Sequence, residues 1–256
     1  MSLKITVITV CYNSAATIRD TLVAVAQQDY KNFEHLVIDG ASTDGTVDII
    51  RQWTGHPVVF TSEPDKGIYD AMNKGLLRAS GDVIGFLNAD DFYADASVLE
   101  KIARAFQDEQ IDACFGDLVY VSKDKRRIIR NWKSRAFVKG DFANGWCPAH
   151  PTFYIRKSAM ERCGVFDQSF KLASDVEFMM RYLEQGSVRS VYIPQVMVQM
   201  RVGGATNESW RNVLQQNKEV LAALKKNRVP FTKIGFVTHK CKNRLWQYTT
   251  ARLGSA

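Results

Sequence analysis

Residues 88–91 read Asn-Ala-Asp-Asp and follow directly on Val83–Leu87, a run that is apolar throughout and interrupted only by Gly85. Two adjacent carboxylates, with an amide two residues back, repel one another unless a positive group sits among them. A hard divalent cation suits that role, because it takes oxygen ligands and keeps positions open for a substrate's phosphates. Mg2+ or Mn2+ is the expected ion, with Asp90 and Asp91 as its ligands. The same four residues also suit an ordinary Asx-rich turn. A further carboxylate, Asp39, closes the run Phe33–Asp39. There it can hydrogen-bond a base or ribose, or simply cap the turn that follows.

These groups need a frame that brings them to one edge. An apolar run such as 83–87 reads as a central strand of a parallel sheet covered on both faces. Leu3–Val10, Phe33–Asp39 and Pro57–Ser62 read as the other strands. Helices are expected over Ala15–Gln28 with Ser14 as cap, then Thr46–Trp53, Ile68–Ala79 and Ser97–Gln107. Strict alternation of this kind predicts an open α/β sheet, whose ligands lie in the crevice beyond the strand ends. Past Asp112 the pattern loosens. Strands are expected at Ala113–Ser122, Arg127–Asn131, Pro148–Ile155, Val188–Ile193 and Val196–Arg201. Helices are expected at Ser174–Gln185 and Asn207–Lys226.

Composition narrows the function. Five scattered cysteines show no metal-ligand spacing and point to free thiols in a reducing compartment, hence a cytoplasmic protein. No apolar stretch is long enough to span a bilayer. The net charge of +7 lies in the tail: beyond Glu219 there are eight Lys and Arg and no acidic residue. A second basic cluster runs from Lys123 to Lys139. Concentrated patches of this sort select an anionic partner. In the tail they interleave with Phe231, Ile234, Phe236, Val237, Leu245, Trp246, Tyr248 and Leu253, which suits an anionic membrane surface better than nucleic acid. Packing of the tail on the main domain is the plain alternative. No Gly-rich dinucleotide fingerprint, P-loop or nucleophile elbow is present.

VITVCYN at 7–13, VIDGASTDGT at 37–46, FLNADDFY at 86–93 and LASDVEF at 172–178 together resemble the inverting glycosyltransferases of family 2, over roughly residues 3–205. DKGIYDAMNKG at 65–75 is similar to the branch that builds bacterial surface polysaccharides such as colanic acid and O-antigen. The resemblance implies a GT-A (Rossmann-like) α/β domain over 1–205, a mixed, mainly parallel sheet flanked by helices, with a helical, basic extension over 206–256. It implies a nucleotide-sugar donor, a UDP-sugar first of all. The implied acceptor is a growing glycan on a polyprenyl diphosphate at the inner face of the membrane, where the enzyme would sit peripherally.

Carried onto this chain, the resemblance places Val10, Cys11 and Tyr12 in the nucleoside pocket and Asp39 on the base. Asn88-Ala89-Asp90 stands where the family has Asp-any-Asp, so Asn88 brings an uncharged amide where a carboxylate is usual. Asp175 falls at the catalytic base, and His150 near the sugar or acceptor. Asp65 and Lys66 are placed on the nucleotide and a phosphate, and Arg201 on the donor phosphates beside a flexible segment at Gly203-Gly204. Each also has a plain reading. Asp175 is a favourable first-turn acid for its helix, His150 a hydrogen-bonded core histidine, and Gly203-Gly204 an ordinary turn. Two other functions fit parts of the pattern: a nucleotidyltransferase, and a non-catalytic membrane-bound scaffold.

Overall fold

A computed structural model describes residues 3–125, 127–186, 188–202 and 210–253, without the side chains at 243, 244, 246 and 248–253. Gly203, Gly204 and the expected helix start at Asn207 therefore lie outside the described residues, as do the side chains of Trp246, Tyr248 and Leu253. Strand β1 (Ile5–Cys11) is buried along its whole length. It pairs in parallel with β2 (Phe33–Asp39) on one side and β4 (Val83–Phe86) on the other. β3 (Val58–Ser62) adds in parallel outside β2. The crossovers carry α1 (Ile18–Ala26), α2 (Thr46–Arg51) and α3 (Ile68–Arg78). Parallel pairing forces such crossovers, and it brings the ends at Cys11, Asp39 and Phe86 to one edge.

The second half of the sheet is built on β6 (Ala113–Val121), antiparallel to β7 (Ile128–Trp132) and β8 (Tyr154–Arg156) and parallel to β9 (Ser190–Arg201). With β5 (Phe92–Tyr93) the order is β3-β2-β1-β4-β8-β6-β9-β5, and β7 lies beside β6. α4 (Val98–Ala105) follows β5, and α5 (Lys157–Cys163) follows β8. This is the mixed α/β sheet that the sequence predicts.

Three local expectations differ. Pro148–Ile155 was expected as strand; only Tyr154–Arg156 is, because residues 150–152 form a 3-10 turn. Pro151 has no N–H to give a ladder, and Thr152 bonds back to the Ala149 carbonyl at 2.8 Å. The two late strands are one, β9, whose register against β6 slips around Asp117, where Pro194 interrupts the pairing. Helix α1 starts at Ile18, with the Ser14 carbonyl accepting from Thr17 and Ile18 and no side-chain cap. Residues 12–17 thus remain a loop at the mouth of the crevice.

Helix α6 (Ser174–Glu184) lies in the main core, where Phe178 stacks on Phe166 at 4.3 Å between centroids. Burying one such ring stabilises by about 1.5–3 kcal/mol. α7 (Trp210–Lys226) packs on α6, and its Glu219 accepts from the Leu172 and Ala173 amides at 2.8 and 3.0 Å. Those bonds satisfy the Ala173 amide at the N-cap of α6, a position whose N–H has no intrahelical partner, and the Leu172 amide just before it. α8 (Lys233–Leu253) packs on β7 and on the turn at Asp141–Asn144, burying Phe236. The basic extension is therefore helical and shares the core through Val220, Ala223, Leu224, Val229 and Phe236.

Candidate active site

The ends of β1 and β4 open on a cavity of about 920 Å³. Val10, Cys11 and Tyr12 form one wall, the first two buried and the Tyr12 ring 65% exposed. Asp39 sits behind that wall with no exposed surface. It accepts from the Ser42 amide and hydroxyl at 2.9 and 2.5 Å, the Ser62 hydroxyl at 2.7 Å and the Cys11 thiol at 3.5 Å. Burial opposes its ionisation, but these donors prevail and hold the carboxyl below the usual range. Burial first, and then Asp39, push the Cys11 thiol far up, so it stays protonated. Asp65 reaches over Gly40, where a Cβ would stand 2.4 Å from Asp65 Oδ2 and 3.3 Å from the Tyr12 ring. Gly40 therefore lets carboxylate and ring close over the strand end. Lys66 is exposed and lies off the cavity wall.

Asn88, Ala89 and Asp90 line the cavity, whereas Asp91 is fully buried beside it. The Asn88 amide donates to Asp91 Oδ2 at 3.3 Å, leaving Asn88 Oδ1 and Asp91 Oδ1 buried without a hydrogen-bond partner. Burial raises the Asp90 carboxyl; burial and then Asp90 raise that of Asp91 well above its ordinary value. Arg201 lines the same corner, paired to Asp20 and lying over the Phe92 ring at 5.6 Å. Its Nε and Nη1 also lack hydrogen-bond partners. Orphaned oxygens and reluctant carboxylates at a cavity wall fit a hard divalent cation. Among the described residues no three His, Cys, Asp or Glu gather around one point. The chain thus offers few ligands, and phosphates and water must complete any such shell.

Behind this corner runs a directional hydrogen-bond chain. Trp53 Nε1 can only donate, and it meets His56 Nδ1 at 3.1 Å. His56 Nε2 then donates to His35 Nδ1 at 2.9 Å, and His35 Nε2 to Thr9 Oγ1 at 2.9 Å. Thr9 Oγ1 donates in turn to the Leu87 carbonyl at 2.7 Å, one residue before Asn88. Both imidazoles are neutral in this chain, and burial lowers both.

Asp175 lies across the cavity, in the first turn of α6. The Tyr69 hydroxyl donates to its Oδ1 at 3.1 Å. Burial and then the Asp175 charge push the Tyr69 phenol far up, which keeps it a donor. His150 is buried between the rings of Phe86 and Phe166 at 5.3 and 5.6 Å, with one edge on the cavity. Burial lowers it, against the pull of Asp175. One cavity thus gathers Val10, Cys11, Tyr12, Asp65, Asn88, Ala89, Asp90, His150, Asp175 and Arg201, while Asp39, Lys66 and Asp91 stand off its surface. Sequence reasoning missed Tyr69, although it lies inside the 65–75 segment, one position after Ile68. It also missed Arg130, Trp132, Cys147 and Lys240 in the far wall.

Parallel strands feeding a cavity at their ends, joined to a mixed second half-sheet, make up the GT-A architecture. The sequence model of "Glycosyl transferase family 2" matches residues 6–170, and the chain belongs to that family. An uncharacterized glycosyltransferase of Mycobacterium tuberculosis is 30% identical over 181 residues, 69% of this chain and 68% of its own. A PGL/p-HBAD biosynthesis glycosyltransferase of Mycobacterium bovis is 27% identical over 200 residues, 76% of each chain. Among solved structures, S. aureus TarS in complex with UDP-GlcNAc matches with TM-score 0.68 at 17% identity, covering 94% of this chain and 71% of that one. The mannosyltransferase PcManGT of Pyrobaculum calidifontis, in complex with GDP-Man and Mn2+, matches with TM-score 0.68 at 20% identity, covering 99% and 74%. Family membership sets the nucleotidyltransferase alternative aside.

Proposed function

We propose that the chain is an inverting transferase that moves a sugar from a nucleotide-sugar donor to a hydroxyl of a growing, lipid-linked surface glycan. The observation that carries this reading is the placement of Asp90 and Asp175, from separate segments, on one cavity. In a single displacement the acceptor oxygen attacks the anomeric carbon as its bond to the diphosphate breaks. The proton goes to a base across the sugar from the leaving group. Asp175 takes that proton, with Tyr69 fixing its orientation. The nucleoside lies against Tyr12, Cys11 and Asp65, and Asp39 anchors the loop beneath them through Ser42 and Ser62. Asp90 and Asn88 would hold Mg2+ or Mn2+, with Asp91 behind them; such an ion stabilises charge on a departing diphosphate. Arg201 would serve the same phosphates.

Docking at an anionic membrane belongs to the same proposal. Ile234, Val237, Cys241 and Leu245 recur at one face of α8, and the three aliphatic members are 80, 54 and 68% exposed. Exposed Lys233 and Lys242 flank them. No described helix is long and apolar enough to cross a membrane. A helix with an exposed apolar stripe between lysines can lie in the interface. The enzyme would then be peripheral on the cytoplasmic face.

The deciding experiment measures release of nucleoside diphosphate from a panel of nucleotide sugars, with and without EDTA. One donor should turn over, and both EDTA and Asp90→Ala should stop it. Asp175→Asn should slow transfer by roughly 10²–10⁴-fold with nucleotide affinity kept, the range for a lost general base. Turnover indifferent to EDTA and to Asp90→Ala would remove the metal role. An Asp175→Asn protein that transfers normally would remove the base.

A further inference from the structure

Past Asp175 the cavity continues between the sheet and α8, and its wall changes character. Tyr120 on β6 and Trp132 on β7 lie with rings nearly parallel, at 9° and 6.5 Å between centroids. The Arg130 guanidinium stands 4.8 and 4.9 Å from those two centroids. Arg130 is 6% exposed, lines the cavity, and donates from Nε to Gln247 Oε1 of α8 at 2.6 Å. Lys240 of α8 enters the same chamber and donates to Asn217 Oδ1 at 2.6 Å. Cys147 marks where the charges converge: burial and then Asp175 raise its thiol, Lys240 and Arg130 pull it back, and together they leave it at about 12.

Arg130 and Lys240 line one chamber of the cavity that also holds Asp175, and an anion entering it meets two positive groups. Arg presents a planar fork that matches phosphate oxygens, and Lys adds a point charge. Tyr120 and Trp132 hold the fork in place and give the chamber a flat apolar side.

Resting on the sugar-transfer reading above, we propose that Arg130 and Lys240 form an anion subsite for the diphosphate of the acceptor, close to the hydroxyl that Asp175 deprotonates. The acceptor is then a short saccharide carried on a diphosphate, not the distant end of a long neutral glycan. The test uses the full chain saturated with UDP or GDP and Mn2+, so that the donor half is filled. Farnesyl diphosphate, inorganic pyrophosphate and farnesol are titrated in turn, read by tryptophan fluorescence, since Trp132 and Trp146 line the cavity. Both diphosphates should bind and farnesol should not. Equal affinity for the two assigns recognition to the diphosphate alone, and tighter farnesyl diphosphate adds a lipid contribution. Lys240→Met should weaken diphosphate binding at least about tenfold, the scale of one charge-assisted contact. Lys225→Met, the same charge change on the exposed end of α7, should not. Gln247→Glu, which sets a carboxylate against Arg130, should reproduce the loss without touching Lys240. Diphosphate that fails to bind the nucleotide-loaded protein, or binds Lys240→Met and Gln247→Glu undiminished, overturns the subsite. A chain that binds no nucleotide at all overturns the sugar-transfer reading instead.

Discussion

At Gly145 the turn that follows β7 lies tight against Lys240 of α8, and replacing it with alanine should tell the two halves of the cavity apart. Its backbone is left-handed, at φ 66° and ψ 17°. A Cβ there would meet the Lys240 Cβ at 2.7 Å, its Cα at 3.0 Å and its N at 3.1 Å. Carbon atoms rest at about 3.5–4.0 Å, so α8 must retreat by about 1 Å. The left-handed backbone costs an alanine roughly 1–2 kcal/mol, which lowers Tm by about 2–8 °C in a chain of this size. Gly140→Ala supplies the control. Its φ of 94° is at least as unfavourable, yet a Cβ there meets nothing within 4 Å. Both variants should therefore lose stability, as read by calorimetry. Only Gly145→Ala should lose farnesyl diphosphate affinity on the nucleotide-loaded protein, because a misplacement of ~1 Å can cost ~10²-fold in function. Equal diphosphate affinity in the two variants would refute the packing argument.

Two further outcomes follow from other parts of the molecule. His35 is held by burial, and by His56, at about 3 against an ordinary 6.5. The unfolded chain therefore takes the proton first as pH falls. His35's contribution to stability is complete above pH 6.5 and is lost at ~1.4 kcal/mol per pH unit on the way down to about 3. Asp91, raised by burial and by Asp90, acts in the opposite sense. The measurement is therefore made on the ring itself: His35 resonances should keep their neutral-form shifts to about pH 5, and a ring titrating near 6.5 with the fold intact would contradict the hydrogen-bond chain. At the membrane, changing Ile234, Val237 and Leu245 together to Glu should end co-sedimentation with anionic liposomes at unchanged Tm. Retained binding would show that this face of α8 is not the docking surface. Deleting the tail from residue 229 is a poorer test, since Val229 and Phe236 belong to the core.

The half of the cavity proposed for the donor was legible because its signals are local. An apolar strand, a turn and a polar cluster follow one another within ten or so residues at Cys11, Asp39 and Asp90, and parallel pairing then places their ends together. Asp91 shows the limit of that reading. Adjacent residues after a strand point in different directions, so one carboxylate of the pair faces the cavity and the other is buried. The far wall was not legible, because it depends on pairings such as Arg130 with Gln247, 117 positions apart. In the sequence Arg130 is one member of a basic cluster and Lys240 one member of a basic tail. Tyr69 was hidden for a related reason: its partner Asp175 lies 106 residues away. Proline placed the remaining errors. Pro151 turned an apolar run out of the ladder, and Pro194 fell inside a strand that continues past it at a slip in register.

The closure of the cavity by α8 bears on how such a chain diversifies. The groups proposed to hold the nucleotide and the ion lie almost wholly within the first hundred residues, whereas Lys240 and Gln247 arrive on the last helix. That helix meets the body chiefly through β7 and the turn at Asp141–Asn144. A recombination or drift event confined to the segment that encodes α8 can therefore recut the proposed acceptor wall while leaving the ends of β1, β2 and β4 untouched. Under the proposed reading, lineages that keep the same activated sugar can in this way acquire new acceptors by inheriting a different α8.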